Sequence, residues 1–188
     1  MVSRQAWRNG FCTALFVGAL SSQALAADLG FVVTPSPAVQ GSTVAVDVLL
    51  TGITDLYGYQ FSLTFNPAVV QLTSVTQGAF LLTGGATFFD DGTTTVPGTV
   101  SLVFGALVGP VPGVSGSGIL TRFNFNAITV GNSALNFSDV LLLDSNLGDL
   151  PVTLQNSALA VVVPEPTSML LFGLGLAGVT AMRRRSTR

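Results

Sequence analysis

Between Ala27 and Val163 every acidic side chain is an aspartate: Asp28, Asp47, Asp55, Asp90, Asp91, Asp139, Asp144 and Asp149. Arg122 is the one base among them, so one positive and eight negative charges leave this stretch at −7. The chain has no histidine and no lysine, and its single cysteine is Cys12. Ser-His-Asp catalysis and His-ligated zinc are therefore excluded. A lysine-free, acidic body is also a poor ligand for phosphate backbones, whose affinity comes from counterions released by basic side chains, so nucleic acid is set aside as a partner.

The aspartates allow two chemistries. Asp144, Asn146 and Asp149, with Asp139 nearby, form a weak calcium candidate. Calcium takes six to eight oxygens from regularly alternating positions. Two carboxylates at this spacing suit a turn held by Asx side chains better. Asp90-Asp91-Gly92 likewise reads as a hairpin turn before a metal site. Glycoside hydrolysis needs two carboxyl groups facing one cleft, and aspartates scattered through turns supply no such pair. The expectation is a protein that is not an enzyme and has no cofactor, calcium being the only candidate. Tyr57 and Tyr59 could stack a sugar, but they share the phase of Phe61, Leu63 and Phe65, which points to core packing.

The elements that must position these residues have period two. Val44, Val46, Val48 and Leu50 fall on one face of a strand over Thr43–Leu50, with Ala45, Asp47 and Leu49 on the other. The alternation is cleaner over Leu56–Phe65, where Tyr57, Tyr59, Phe61, Leu63 and Phe65 oppose Gly58, Gln60, Ser62 and Thr64. Asn66-Pro67 ends that run. Further strands are expected over 69–75, 86–89, 99–104, 119–125, 134–137, 140–143 and 158–163, with one more at 31–34. Turn residues separate them, and Gly109–Gly118 is the longest linker-like stretch. About nine or ten short strands at this spacing argue an all-β sandwich, and thirteen Phe in the chain can fill its interior.

The two ends differ from this body. Met1–Arg8 is basic, Phe11–Leu20 is a short apolar stretch, and Ala24-Leu25-Ala26 is a small-x-small site, so signal peptidase is expected to cut between Ala26 and Ala27. About ten apolar residues fall well short of the ~20 that a spanning helix needs. At the other end Pro164-Glu165-Pro166 precedes an apolar, helix-compatible run, Met169–Met182, and then Arg183-Arg184-Arg185. The prolines keep the opening extended. At 1.5 Å per residue the fifteen residues from Ser168 to Met182 span roughly 22 Å, a marginal transmembrane helix that suits a temporary hold. The arginines would stay on the cytoplasmic side.

This tripartite tail resembles the PEP-CTERM sorting signal of Gram-negative bacteria. The resemblance implies removal of the tail by an exosortase and association with extracellular polysaccharide or biofilm. In the body, three stretches resemble a cohesin domain: Gln40–Val46, the run Gly58–Leu72 with its Asn-Pro-Ala turn, and Gly116–Phe125. That resemblance implies a jelly-roll sandwich of about nine strands that binds a protein module through one sheet face without chemistry. No short motif marks the face, so no binding residue is carried over.

The sequence thus leads to a signal peptide at 1–26 with its helix, a cohesin-like body at 27–163, and a sorting tail at 164–188 with a hydrophobic helix. Signal peptidase and exosortase are the expected processing enzymes, with membrane contact through the tail. A surface protein is the expected ligand, with polysaccharide as the alternative. The expected location is the cell surface or matrix, after a transient stay at the inner membrane.

Overall fold

The computed structural model describes residues 26–164. The signal helix, the hydrophobic tail helix, Ala24 and the residues from Glu165 onward, including Pro166 and Arg183–Arg185, lie outside the described residues. Among the described residues no helix is long and apolar enough to cross a membrane.

Eleven strands and one short helix make up the body: β1 (Ala27–Thr34), β2 (Ala38–Val39), β3 (Thr43–Leu56), β4 (Gly58–Thr64), β5 (Val70–Gln77), α1 (Ala79–Leu82), β6 (Thr87–Asp90), β7 (Thr99–Leu107), β8 (Val114–Ala127), β9 (Gly131–Leu143), β10 (Val152–Gln155) and β11 (Ser157–Val162). They form two sheets, β10-β1-β3-β8-β5 and β2-β11-β9-β4-β7-β6. The expected all-β jelly-roll sandwich is present. It has more strands than the nine expected because β2 and β10 are short edge additions, each paired in parallel with a neighbour.

Three expectations are corrected in detail. The run Leu56–Phe65 is not one strand: Leu56 ends β3 in the first sheet, and β4 starts at Gly58 in the second. Residues 134–137 and 140–143 belong to one strand, β9, interrupted by a bulge. The second half of Gly109–Gly118 is not linker, because β8 begins at Val114.

The core lies between the sheets and follows the period-two pattern. Val44, Val46, Val48 and Leu50 of β3 and Phe123 and Phe125 of β8 face Tyr59, Phe61 and Leu63 of β4, and all are essentially buried. Aromatic rings join the layers: Phe61 meets Phe123 edge-on at 6.2 Å, Phe65 meets Phe125 at 5.0 Å, and Phe31 stacks on Phe137 at 4.0 Å. Such pairs contribute roughly 0.5–1.5 kcal/mol each beyond the area they bury. Helix α1 lays Phe80 and Leu81 against this core beside β8.

Candidate functional site

The outer faces of the two sheets differ in kind. On the five-stranded sheet the outward positions mix apolar Val32, Ala45 and Leu49 with a network of hydrogen-bonded polar side chains. Arg122 of β8 holds Asp47 of β3 through two bonds, Nε to Oδ1 at 2.6 Å and Nη2 to Oδ2 at 2.7 Å. Beside them Asn124 donates to the Ser74 hydroxyl at 2.9 Å, and Thr73 donates to the Asn124 carbonyl. The hydrogen bond and charge of Asp47 raise the Arg122 pKa above its ordinary value.

The six-stranded sheet presents an apolar patch at one end of its outer face, with Thr64 and Asn136 on the same face toward the other end. Because Tyr59, Phe61 and Leu63 point inward, Gln60 points out from β4. Its registered neighbours are Phe104 of β7 and Leu141 of β9, and Asp90 of β6 lies opposite Phe104. One row along, Gly58 lies between Ala106 and Leu143, and Phe88 lies opposite Ala106. The rings of Phe88 and Phe104 pair at 6.0 Å. Phe88 and Leu102 are each more than half exposed, at 56% and 51%.

Two bulges shape this face, one on each side of β4. In β7 the register jumps between Phe61↔Val103 and Leu63↔Val100, leaving Ser101 and Leu102 opposite Ser62 alone. Leu102 takes φ of +57°, and its amide donates to the Ser62 hydroxyl at 3.1 Å. In β9 the jump falls between Gln60↔Leu141 and Ser62↔Ser138, and Asp139 takes φ of +51°. Positive φ is rare for a non-glycine residue, and bulges commonly re-aim side chains near functional surfaces. Here they turn Leu102 outward beside Phe104. Neither bulge contains glycine, so the sequence carried no signal for them.

A profile of the cohesin domain matches residues 30–161. The chain belongs to the cohesin family. A profile of the PEP-CTERM protein-sorting motif follows directly, over residues 162–185. A non-cellulosomal cohesin from the hyperthermophilic archaeon Archaeoglobus fulgidus is similar to this chain at 17% identity, with a TM-score of 0.58 over 77% of this chain and 97% of that one. The sixth cohesin of scaffoldin B from Acetivibrio cellulolyticus, solved in complex with a Cel5 dockerin mutant, is 19% identical, with a TM-score of 0.58 over 73% and 100%. The cohesin module of a family 33 glycoside hydrolase from Clostridium perfringens is 14% identical, with a TM-score of 0.61 over 74% and 98%. These likenesses establish the fold. No curated protein matches. The chain therefore joins a cohesin-type interaction module to a motif that implies export and membrane-associated processing by an exosortase.

Of the polar candidates of the sequence, Asp90 borders this face of the cohesin sandwich, opposite Phe104, and the others sit elsewhere. Asp144 Oδ1 accepts from the amides of Asn146 and Gly148, both at 2.8 Å, and so closes its own turn. Asp149 pairs through its backbone with Leu143. Among the described residues no group of three or more His, Cys, Asp or Glu side chains could hold a metal ion. Asp90 Oδ1 accepts from the Gly92 amide at 2.8 Å, but the chain then runs on to Gly98 before β7, so this Asx turn is not a tight hairpin. Tyr59 is in the core, its hydroxyl donating to the Leu120 carbonyl at 2.8 Å, and burial pushes its pKa up to about 12. Tyr57, at the change of sheet, is half-buried and donates to the Gly109 carbonyl at 2.7 Å.

Sequence reasoning missed Asp55. It sits at the bulged end of β3 with φ of +61° and gathers three segments. Its Oδ1 accepts from the Gly113 amide at 2.8 Å, and its Oδ2 accepts from the Ser145 hydroxyl at 2.7 Å. Its own amide donates to the Ser115 hydroxyl. The Ser145 hydroxyl bond, helped by the two amides and opposed by partial burial, holds the Asp55 carboxyl below its ordinary pKa. The Gly113 site would place a Cβ 2.4 Å from the Asp55 carbonyl carbon, so only glycine fits there.

Proposed function

We propose that the cohesin sandwich binds a dockerin-type protein module through the outer face of its six-stranded sheet, without catalysis, at the surface of a Gram-negative cell or in its matrix. The observation that carries this reading is the contrast between the faces: Phe88, Leu102, Phe104 and Leu141 are gathered around Gln60 on one, while the other is laced with hydrogen bonds. An exposed apolar patch rimmed by polar groups is a common mark of a protein-binding surface. The dockerin complex of the Acetivibrio cellulolyticus relative supports the choice of partner.

In this reading residues 1–26 are a signal removed between Ala26 and Ala27, 27–163 is the working body, and 164–188 is a tail that exosortase removes. Ala27 opens β1, so a cut before it leaves the first strand whole. The test is titration of the exported protein against a panel of dockerin modules, beside a glycan array. Leu102→Asp and Leu141→Asp should each weaken dockerin binding at least tenfold, in line with the roughly 2 kcal/mol of an interface hot spot. Glycan binding with no dockerin binding would replace the proposal with the polysaccharide reading.

A further inference from the structure

The sorting tail leaves the sandwich from an end with its own surface chemistry. Val161 and Val162 of β11 pair with Ala38 and Val39 of β2, and the Gln40 amide donates to the Val162 carbonyl at 2.8 Å. The Gln40 side chain reaches across to the Ile128 carbonyl at 3.0 Å, and Gly41 donates to the Ala127 carbonyl at 2.7 Å. The amides of Ile128 and Thr129 both donate to the Val69 carbonyl. These bonds tie four segments into one rim: residues 38–42, 66–70, 126–134 and 157–163.

None of the four segments contains a charged residue. Their exposed side chains include Val39, Ile128, Val130 and Val163, at 37%, 42%, 45% and 61% exposure. Single exposed valines are ordinary, but here the segments that carry them are hydrogen-bonded to one another at the exit of the chain. The bonded pair Asp55 and Ser145, with Asp144 beside it, lies at the other end of β9.

We propose that this rim is a lipid-contacting surface, on which Val39, Ile128, Val130 and Val163 rest against the bilayer while the tail is still attached. The proposal rests on the reading of residues 164–188 as a membrane-held tail and adds a role for the folded domain. Chain length supports it. Only residues 164–167 separate Val163 from the helix-compatible stretch that starts at Ser168. At about 3.3–3.6 Å per residue those five steps reach no more than roughly 18 Å, so the rim stays close to the headgroups. The rim has no aromatic side chain and no base, so its own affinity is small. Tethering makes the contact effectively intramolecular and removes the need for a strong one. Asp91 lines the cleft beside Ile128 at this end, but the four rim segments themselves carry no charge for an anionic leaflet to repel.

The test uses the protein exported in a host without an exosortase, so that the tail stays attached, placed in vesicles of phosphatidylethanolamine and phosphatidylglycerol. In a Cys12→Ser background, Val130→Cys carries an environment-sensitive dye in one protein and Leu147→Cys carries it in another. With brominated lipids, quenching at position 130 should exceed that at 147 several-fold, and Val163→Cys should behave like Val130→Cys. Equal quenching at positions 130 and 147, or none at 130 in vesicle-bound protein, overturns the rim while leaving the tail reading intact. Protein that fails to float with the vesicles sinks the tail reading and the rim together.

Discussion

The Ser145 hydroxyl donates to Asp55 Oδ2 at 2.7 Å, joining residues 90 positions apart at one tip of the sandwich. With the Gly113 amide on the other oxygen, one carboxylate fixes the corner where the chain leaves the first sheet, the β7–β8 loop and the turn after β9. Asp55→Asn keeps the shape but removes the charge that strengthens these bonds. The Gly113 and Ser145 amides should then exchange faster with solvent, with little change in the core. In the native protein the same loosening should come with acid. The folded pKa lies below the ordinary 3.8, so the Asp55 contribution is complete above that pH and fades as pH falls through the lower folded value. Amide exchange measured from pH 6 down to 3 checks both.

The Asp47–Arg122 pair predicts a small but coupled effect. The Asp47 side chain is 9% exposed and that of Arg122 is 48% exposed, so solvent screens the arginine while the aspartate depends on it. Arg122→Val should cost about 1 kcal/mol, mostly because Asp47 is left without its partner. Asp47→Val together with Arg122→Val should recover most of that loss. A denaturant-based double-mutant cycle measures the coupling.

Tyr59 predicts alkaline sensitivity. Its hydroxyl is buried between the Leu120 carbonyl and Thr121 Oγ1, and its pKa is raised from 10.0 to about 12. A raised folded value means the stability is fully present below pH 10 and is lost as pH climbs toward 12. Two units correspond to at most about 2–3 kcal/mol. Tyr59→Phe should cost about 1 kcal/mol at neutral pH through the lost hydrogen bonds and should flatten the alkaline decline. Stability titrations of both proteins between pH 9 and 12 decide it.

Gly78 predicts the largest loss. A Cβ there would sit 2.1 Å from the Ile119 carbonyl oxygen and 2.5 Å from its carbon, both backbone atoms of β8. Gly78→Ala must push α1 off the sheet edge, at a cost of about 3 kcal/mol. Gly30→Ala is the control. Its nearest neighbour is the Gln155 side chain at 3.3 Å, so its cost should stay under about 1 kcal/mol. Thermal melts of the two variants compare them directly.

The period-two runs make the core legible in the sequence alone. Val44, Val46, Val48, Tyr59, Phe61 and Leu63 are buried where alternation placed them, because a strand with one dry face must repeat every second residue. The Asn66-Pro67 break holds too, with Asn66 Oδ1 accepting from the Ala68 amide at 3.0 Å. Alternation failed at Tyr57, since a strand continuing in phase and a strand crossing to the other sheet look alike in a one-dimensional pattern.

The sequence by itself determined the sandwich and its acidic, thiol-poor character, because periodicity and composition act residue by residue. Tertiary structure decided which outward face is apolar, where Leu102 and Asp139 bulge out, and that Asp55 rather than Asp149 organises the tip. Each of those depends on strand partners far along the chain: Ser62 for Leu102, Ser145 for Asp55, Arg122 for Asp47. A local reading cannot supply such partners, because long-range register is set by the packing of the two sheets together.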